Sequence, residues 1–213
     1  MLDKNLPTEI LPLFPLNVVL FPQSQLPLHI FEERYKTLIS ECITYDIVFG
    51  INFVHEQQIR SIGCTARVKE VTKRYGDGRT DIVVEGVRRY TLHNLVEAPH
   101  PYQSGRISWY DDVDKIADEE LRLRAVGLHN TFVRTVFNGS VHEVSADDVR
   151  KTRAFHLVQK SGLDPVQRQV LLSMNSENNR LKFLVNHLES MLPLLISKKK
   201  TEELAKNDGY IQE

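Results

Sequence analysis

Apolar and polar positions keep two different rhythms along this chain. From residue 10 to about 112 the apolar positions fall in short runs with a period near two. From about 113 to 197 they recur every three or four residues. The first rhythm predicts strands and the second helices. Residues 10–14, 17–21 and 26–30 are short apolar segments punctuated by Pro12, Pro15, Pro22 and Pro27. They are too short for helices and too proline-rich for central strands, so they predict edge strands or extended arms. From Glu32 the period becomes helical. Tyr35, Leu38, Ile39, Cys42 and Ile43 form one apolar stripe, and the helix should end near Thr44. Residues 46–54 are apolar on both parities and predict a strand buried on both faces, with a bulge or bend at Gly50. Residues 61–75 predict a longer strand, in which the phase break at Val71 marks a bulge near Glu70. Gly76-Asp77-Gly78 is a turn, and residues 80–84 return as the hairpin partner. Gly86 predicts a further bend, followed by strands at 87–96 and 102–110, the last carrying Trp109.

The second half opens with an acidic run and a long helix over 115–137, with Leu121, Ala125, Leu128, Phe132 and Val136 on its apolar face. Ser145 and Asp148 have capping-box spacing and predict a helix to about Ser161, with Gly162 just past its end. Asp164-Pro165-Val166-Gln167 is a stronger start for a short helix to Ser173. A last helix spans 176–196 with Leu181, Leu184, Leu188, Met191 and Leu195 on one face, and Pro193 should kink or end it. The pattern thus predicts an α+β chain. A β-rich part covers residues 1–112, a helical bundle residues 113–197, and a polar, fraying tail residues 198–213.

Composition narrows the function classes. The 27 basic and 28 acidic residues leave a formal net charge of −1, which argues against a nucleic-acid binder driven by bulk charge. No apolar run approaches the roughly 20 residues of a membrane span. The N-terminus has no basic region followed by an apolar one, so no signal peptide is expected. Cys42 and Cys64 belong to no C-x-x-C pair, which fits buried thiols in a reducing cytoplasm. The eight histidines are spaced at least seven positions apart and form no short-range ligand cluster. There is no G-x-S-x-G elbow and no G-x-x-x-x-G-K-[ST] loop. No catalytic residue, metal or cofactor is expected.

The opening stretch LPLFPLNVVLFPQSQLPLHIFEERYKTLI resembles the start of the Lon protease N-terminal domain, the Lon substrate-binding domain. Leu11 to Leu16, Leu20 to Pro22, Leu26 to Leu28, Ile30 to Glu32, Arg34, Tyr35, Leu38 and Ile39 match that pattern. Gly63, Ala66, Val68, Gly78, Gly86, Arg89 and Leu92 fall on a second segment of it. The helical half is similar to its ending, so the resemblance covers about 10–195. One departure is Gln23, where the family has glycine. The resemblance implies a PUA-like pseudo-β-barrel with one helix, followed by a helical bundle. It implies a module that holds proteins or unfolded peptides without cutting them, as a substrate adaptor or chaperone-like binder. A full Lon protease continues into ATPase and Ser-Lys protease modules, and this chain ends at Glu213, so a stand-alone Lon-domain protein is expected.

Within that reading Pro12, Pro15, Pro22, Phe31, Glu32, Arg34, Tyr35, Gly86 and Arg89 are signature positions of the fold. Arg34 and Arg89 are expected to pair with Glu32, Glu33 or nearby backbone carbonyls. Trp109, Phe21, Tyr75, Arg74 and Arg79 are the candidate partner-binding residues. The Pro-bounded opening strands could accept an extended peptide at their edges, and the junction of the two parts could form a groove. The alternative is an RNA-binding module using the basic hairpin of Arg67, Lys69, Lys73, Arg74, Arg79, Arg88 and Arg89, although Tyr75 and Tyr90 are few aromatics for a stacking platform.

Overall fold

The computed structural model describes residues 9–114 and 116–208. In chain order the elements are β1 (Glu9–Pro12), β2 (Gln25–Ile30), α1 (Glu33–Tyr45), β3 (Phe49–Ile51), β4 (Val54–His55), β5 (Gln58–Ile59), β6 (Ile62–Arg74), β7 (Thr80–Val96) and β8 (Ser104–Trp109). The helices α2 (Glu119–Phe137), α3 (Ala154–Leu157), α4 (Pro165–Leu172) and α5 (Glu177–Asp208) follow. Two compact units result. The first holds the residues up to Asp111 together with Asp164–Asn175. The second holds Asp112–Leu163 and the residues from Ser176 on. Segment 164–175, which the sequence pattern groups with the helices, therefore belongs to the β-rich unit.

In the first unit an antiparallel sheet runs in the order β1-β8-β7-β6-β3, and β2 pairs with the first part of β7. The arm after β1 closes the far end. Phe14 N–H donates to the Gly50 carbonyl at 2.7 Å, Leu16 N–H to Asn52 O at 3.0 Å, and Val54 N–H to Leu16 O at 2.7 Å. These bonds lay residues 13–16 parallel to the strand on the opposite end of the sheet. Helix α1 buries Tyr35, Leu38, Ile39 and Cys42 against Phe14, Ile30, Phe49, Ala66, Ile82 and Val84. Phe14 and Tyr35 stack at 3.8 Å between ring centroids. Ile43, assigned to this stripe by periodicity, is exposed.

Two strand expectations are revised. Residues 17–21 form no strand, because the backbone there turns through Phe21 to Ser24 instead of pairing. Gly50 marks close approach rather than a bulge: a Cβ there would lie 2.2 Å from the Tyr90 hydroxyl. At Gly86 the strand β7 continues, and an irregularity in its pairing with β6 begins there, Ala66 pairing with Gly86 but Cys64 with Arg89. A Cβ at Gly86 would lie 2.1 Å from the Phe21 carbonyl oxygen. The absent side chain lets the 21–24 turn dock on β7, where Gln23 N–H donates to Gly86 O and Gly86 N–H to Ser24 O. The bulges of β6 include one between Val68 and Glu70, where the phase break placed it.

In the second unit α2 starts at Asp118, whose carboxylate accepts from Leu121 N–H at 2.8 Å. Its buried face is Ala125, Val126, His129, Phe132 and Val133. The face read from the sequence is thus rotated, and Val136 is exposed. The expected helix over 145–161 is broken into two 3-10 turns flanking α3. The Ser145 hydroxyl does accept from Asp148 N–H. But Thr152 and Arg153 are extended, and Ala154 N–H donates to the Glu177 carboxylate rather than to a helical carbonyl. Arg180, 1% exposed, forms ion pairs with both Asp112 and the buried Glu177. Helix α5 does not stop at Pro193 or fray at 198. It continues to Asp208, its buried Leu181, Leu184, Leu188 and Leu192 holding the register. The lysines, glutamates, leucine and alanine beyond Ser197 are good helix formers. Lys199 Nζ also fastens the extension to Asn138 Oδ1 at 2.6 Å. The rest of the expected tail, 209–213, lies outside the described residues.

Candidate functional site: a groove beside helix α4

Helix α4 is the one helix of the first unit that arrives late in the chain, and its sequence fixes both of its ends. At the N-terminus Asp164 and Gln167 form a reciprocal capping box with Pro165 at the first helical position. At the C-terminus Arg89, 3% exposed, reaches from β7 and donates to the carbonyls of Leu172 and Met174, both at 2.6 Å. A cation at the negative end of the helix is favoured electrostatically as well as by hydrogen bonding. The Tyr110 hydroxyl donates to Ser173 O at 2.7 Å, and the Gln169 amide donates to the Ile62 carbonyl at 3.0 Å. Arg89 therefore does bind backbone carbonyls, but those at and just past the end of α4 rather than any near Glu32 and Glu33. Arg34 pairs with Glu32 at 2.6 Å.

Clamped in this way, α4 forms one wall of a groove of about 430 Å³, with Phe53, Arg60, Ser61 and Ile62 on the other side. Such a volume suits a small ligand or a few residues of peptide. The helical wall presents Val166 and Val170, one turn apart and 43% and 46% exposed, followed by Met174. Phe53 is buried. Two polar features interrupt this apolar surface. Gln169 is buried, and its Oε1 accepts from no described group. Its amide orientation is fixed because the Ile62 carbonyl can only accept. Arg60, half-buried, has no ion pair or hydrogen bond through its guanidinium among the described residues.

The residues singled out from the sequence lie elsewhere. Phe21 is fully buried, with the Arg168 guanidinium 5.2 Å from its ring centroid. It packs the 21–24 turn and cannot present itself to a partner. Trp109 is half-buried. Its indole N–H donates to Glu9 at 3.1 Å, and Arg88 covers its ring. Tyr75, Arg74 and Arg79 sit around the β6–β7 turn, where the Tyr75 hydroxyl donates to Asp81 at 2.8 Å and Arg79 pairs with Asp77 at 2.7 Å. None of these lines the groove.

The basic hairpin is not a bare cationic face. Arg67 pairs with Asp46, Lys69 with Glu85 and Arg88 with Asp111. The edge of β2 carries Pro27, which removes a donor from the middle of the strand and blunts pairing by an added strand. Burial pushes the thiols of Cys42 and Cys64 up to about 12, far from a reactive thiolate. Among the described residues no three His, Cys, Asp or Glu side chains converge as metal ligands. No helix there is long and apolar enough to cross a membrane.

The model of the ATP-dependent protease La (LON) substrate-binding domain matches residues 10–195. This chain belongs to the Lon substrate-binding domain family. Its fold is similar to that of the Lon N-terminal domain protein from Xanthomonas campestris, with a TM-score of 0.65 and 25% identity over 84% of this chain and 98% of that one. The N-terminal domain of Mycobacterium avium complex Lon protease shares the fold at a TM-score of 0.65 and 18% identity, over 85% of this chain and 98% of that one. In sequence, 113 residues are 29% identical to Lon protease of Parabacteroides distasonis, covering 49% of this chain and 14% of that protein. Another 25% identity over 121 residues links it to Lon protease of Cytophaga hutchinsonii, covering 53% of this chain and 15% of that protein. The match to these relatives therefore spans only about a seventh of their length, and it falls in the substrate-binding domain rather than in a catalytic one.

Proposed function

We propose that this chain recognises protein substrates by holding short apolar segments of unfolded polypeptide in the groove beside α4. The observation that carries this reading is the exposed pair Val166 and Val170, facing Phe53 and Ile62 across an open cleft, in a member of a substrate-binding family. An unfolded chain presents isolated apolar side chains, and covering two half-exposed valines with one of them gains about 1 kcal/mol each. The rest of the reading follows from the same family: a PUA-like barrel that carries the site, a helical bundle in the second unit, and a non-catalytic adaptor that passes bound segments to proteolysis. Two buried, unreactive thiols fit that role in a reducing cytoplasm.

The test is fluorescence anisotropy with labelled apolar peptides, comparing the native chain with a Val166→Glu, Val170→Glu double variant. Both positions are exposed, so the fold should tolerate the change. Binding is expected to weaken at least tenfold. Unchanged binding would remove the groove from consideration.

A further inference from the structure

The groove holds two polar groups that packing alone does not explain, and together they specify more than an apolar ligand. Gln169 Oε1 is a buried acceptor with no partner, and an unpaired acceptor in such a place costs about 1–3 kcal/mol. A bound chain would relieve it by supplying a main-chain N–H, which every residue except proline carries. Arg60 is a half-buried guanidinium without a counter-charge among the described residues. Arg34, Arg67, Arg79 and Arg88 in the same unit each lie against a carboxylate, whereas Arg60, Arg74, Arg106 and Arg168 pair with none among the described residues, and of these four Arg60 is the one that lines the groove. The planar donor fork of Arg60 matches a carboxylate.

Resting on the proposed peptide-binding reading, we infer that the groove selects apolar segments that carry an acidic side chain beside the apolar anchor. The anchor lies between Val170 and Ile62, its backbone N–H meets Gln169 Oε1, and the neighbouring Asp or Glu pairs with Arg60. An internal acidic residue fits better than a chain end. Terminal carboxylates are held by clusters of free backbone N–H groups. Here Arg60 N–H already donates to Phe53 O, Ser173 N–H to the carbonyls of Gln169 and Val170, and Met174 N–H to Leu171 O.

The experiment uses the full chain and labelled peptides acetylated and amidated at their ends, with a central leucine followed by Glu, Gln or Lys. The Glu peptide should bind at least fivefold tighter than the Gln peptide, and the Lys peptide more weakly than both. Arg60→Gln should bring the Glu and Gln peptides to equal affinity, and Arg60→Glu should favour the Lys peptide. N-methylation of the leucine nitrogen should weaken all three. Equal binding of the Glu and Gln peptides to the native chain would overturn this inference and leave the peptide groove standing. Absence of binding by all three would overturn the groove itself and this inference with it.

Discussion

At the scale of single residues, the most informative position is Gln23. It stands where the family pattern has glycine, and its φ is 63°, in the left-handed region. The turn keeps its geometry because Gln23 N–H donates to Gly86 O and three hydrogen bonds join Ser24 to Phe21. The left-handed conformation costs a residue with a Cβ roughly 1–2 kcal/mol, of which glycine's greater freedom when unfolded gives part back. Gln23→Gly should therefore stabilise the chain by about 1 kcal/mol. The urea midpoint should rise with the slope unchanged, and a fall in the midpoint would show that the Gln23 side chain is itself holding the turn. Gly86 carries both meanings of a lone glycine in a strand: the turn docks closely on it, and the register of β7 against β6 shifts between it and Arg89. Phe21 was misjudged because a single aromatic between prolines has no periodicity to say which way it faces.

At the scale of elements, α4 shows how unevenly sequence exposes structure. Its capping box and proline were legible to the residue, because cap chemistry is local. Its partner unit was not, because the contacts that fix it come from residues 62, 89 and 110, far away in the chain. The β4–β5 hairpin was missed altogether. Its turn places Glu56 and Gln57 at positive φ without the glycine or asparagine that normally announces such a turn. Since that hairpin leads into Arg60, half the groove was invisible for want of one signal. Arg89 is the hinge of the argument for α4. Arg89→Met removes a buried cation that serves two helix-terminal carbonyls, and the expected loss is about 3 kcal/mol. Arg89→Lys should lose less, about 1–2 kcal/mol, since one ammonium reaches a carbonyl but lacks the fork. Urea unfolding measures both. If Arg89→Met proved neutral, α4 would be held by its capping box, Gln169 and Tyr110.

At the scale of the whole chain, the two units have separate cores and different sensitivities to acid. His129 lies in the core of the second unit on α2, 4% exposed, and neither ring nitrogen has a hydrogen-bond partner in good geometry among the described residues. Burial holds its pKa below the ordinary value of 6.5, and nearby His156 adds to that. The unfolded state therefore takes up a proton near pH 6.5 before the folded state does, so stability is full above that pH and falls as pH drops below it. The loss is at most about 2 kcal/mol at pH 5, at about 1.4 kcal/mol per unit of pKa difference. In the first unit the carboxylates held low, Asp77 and Asp81, lose their contribution only as pH falls below about 4. Between pH 6.5 and 5 the second unit should thus weaken while the first does not. Trp109, the single tryptophan, reports the first unit by fluorescence, and far-UV dichroism reports largely the helices of the second. Urea curves from the two probes should separate at pH 5, with dichroism falling first, and draw together in His129→Gln. Curves that shift together with pH in the native chain would mean that the two units unfold as one and share the protonation cost of His129.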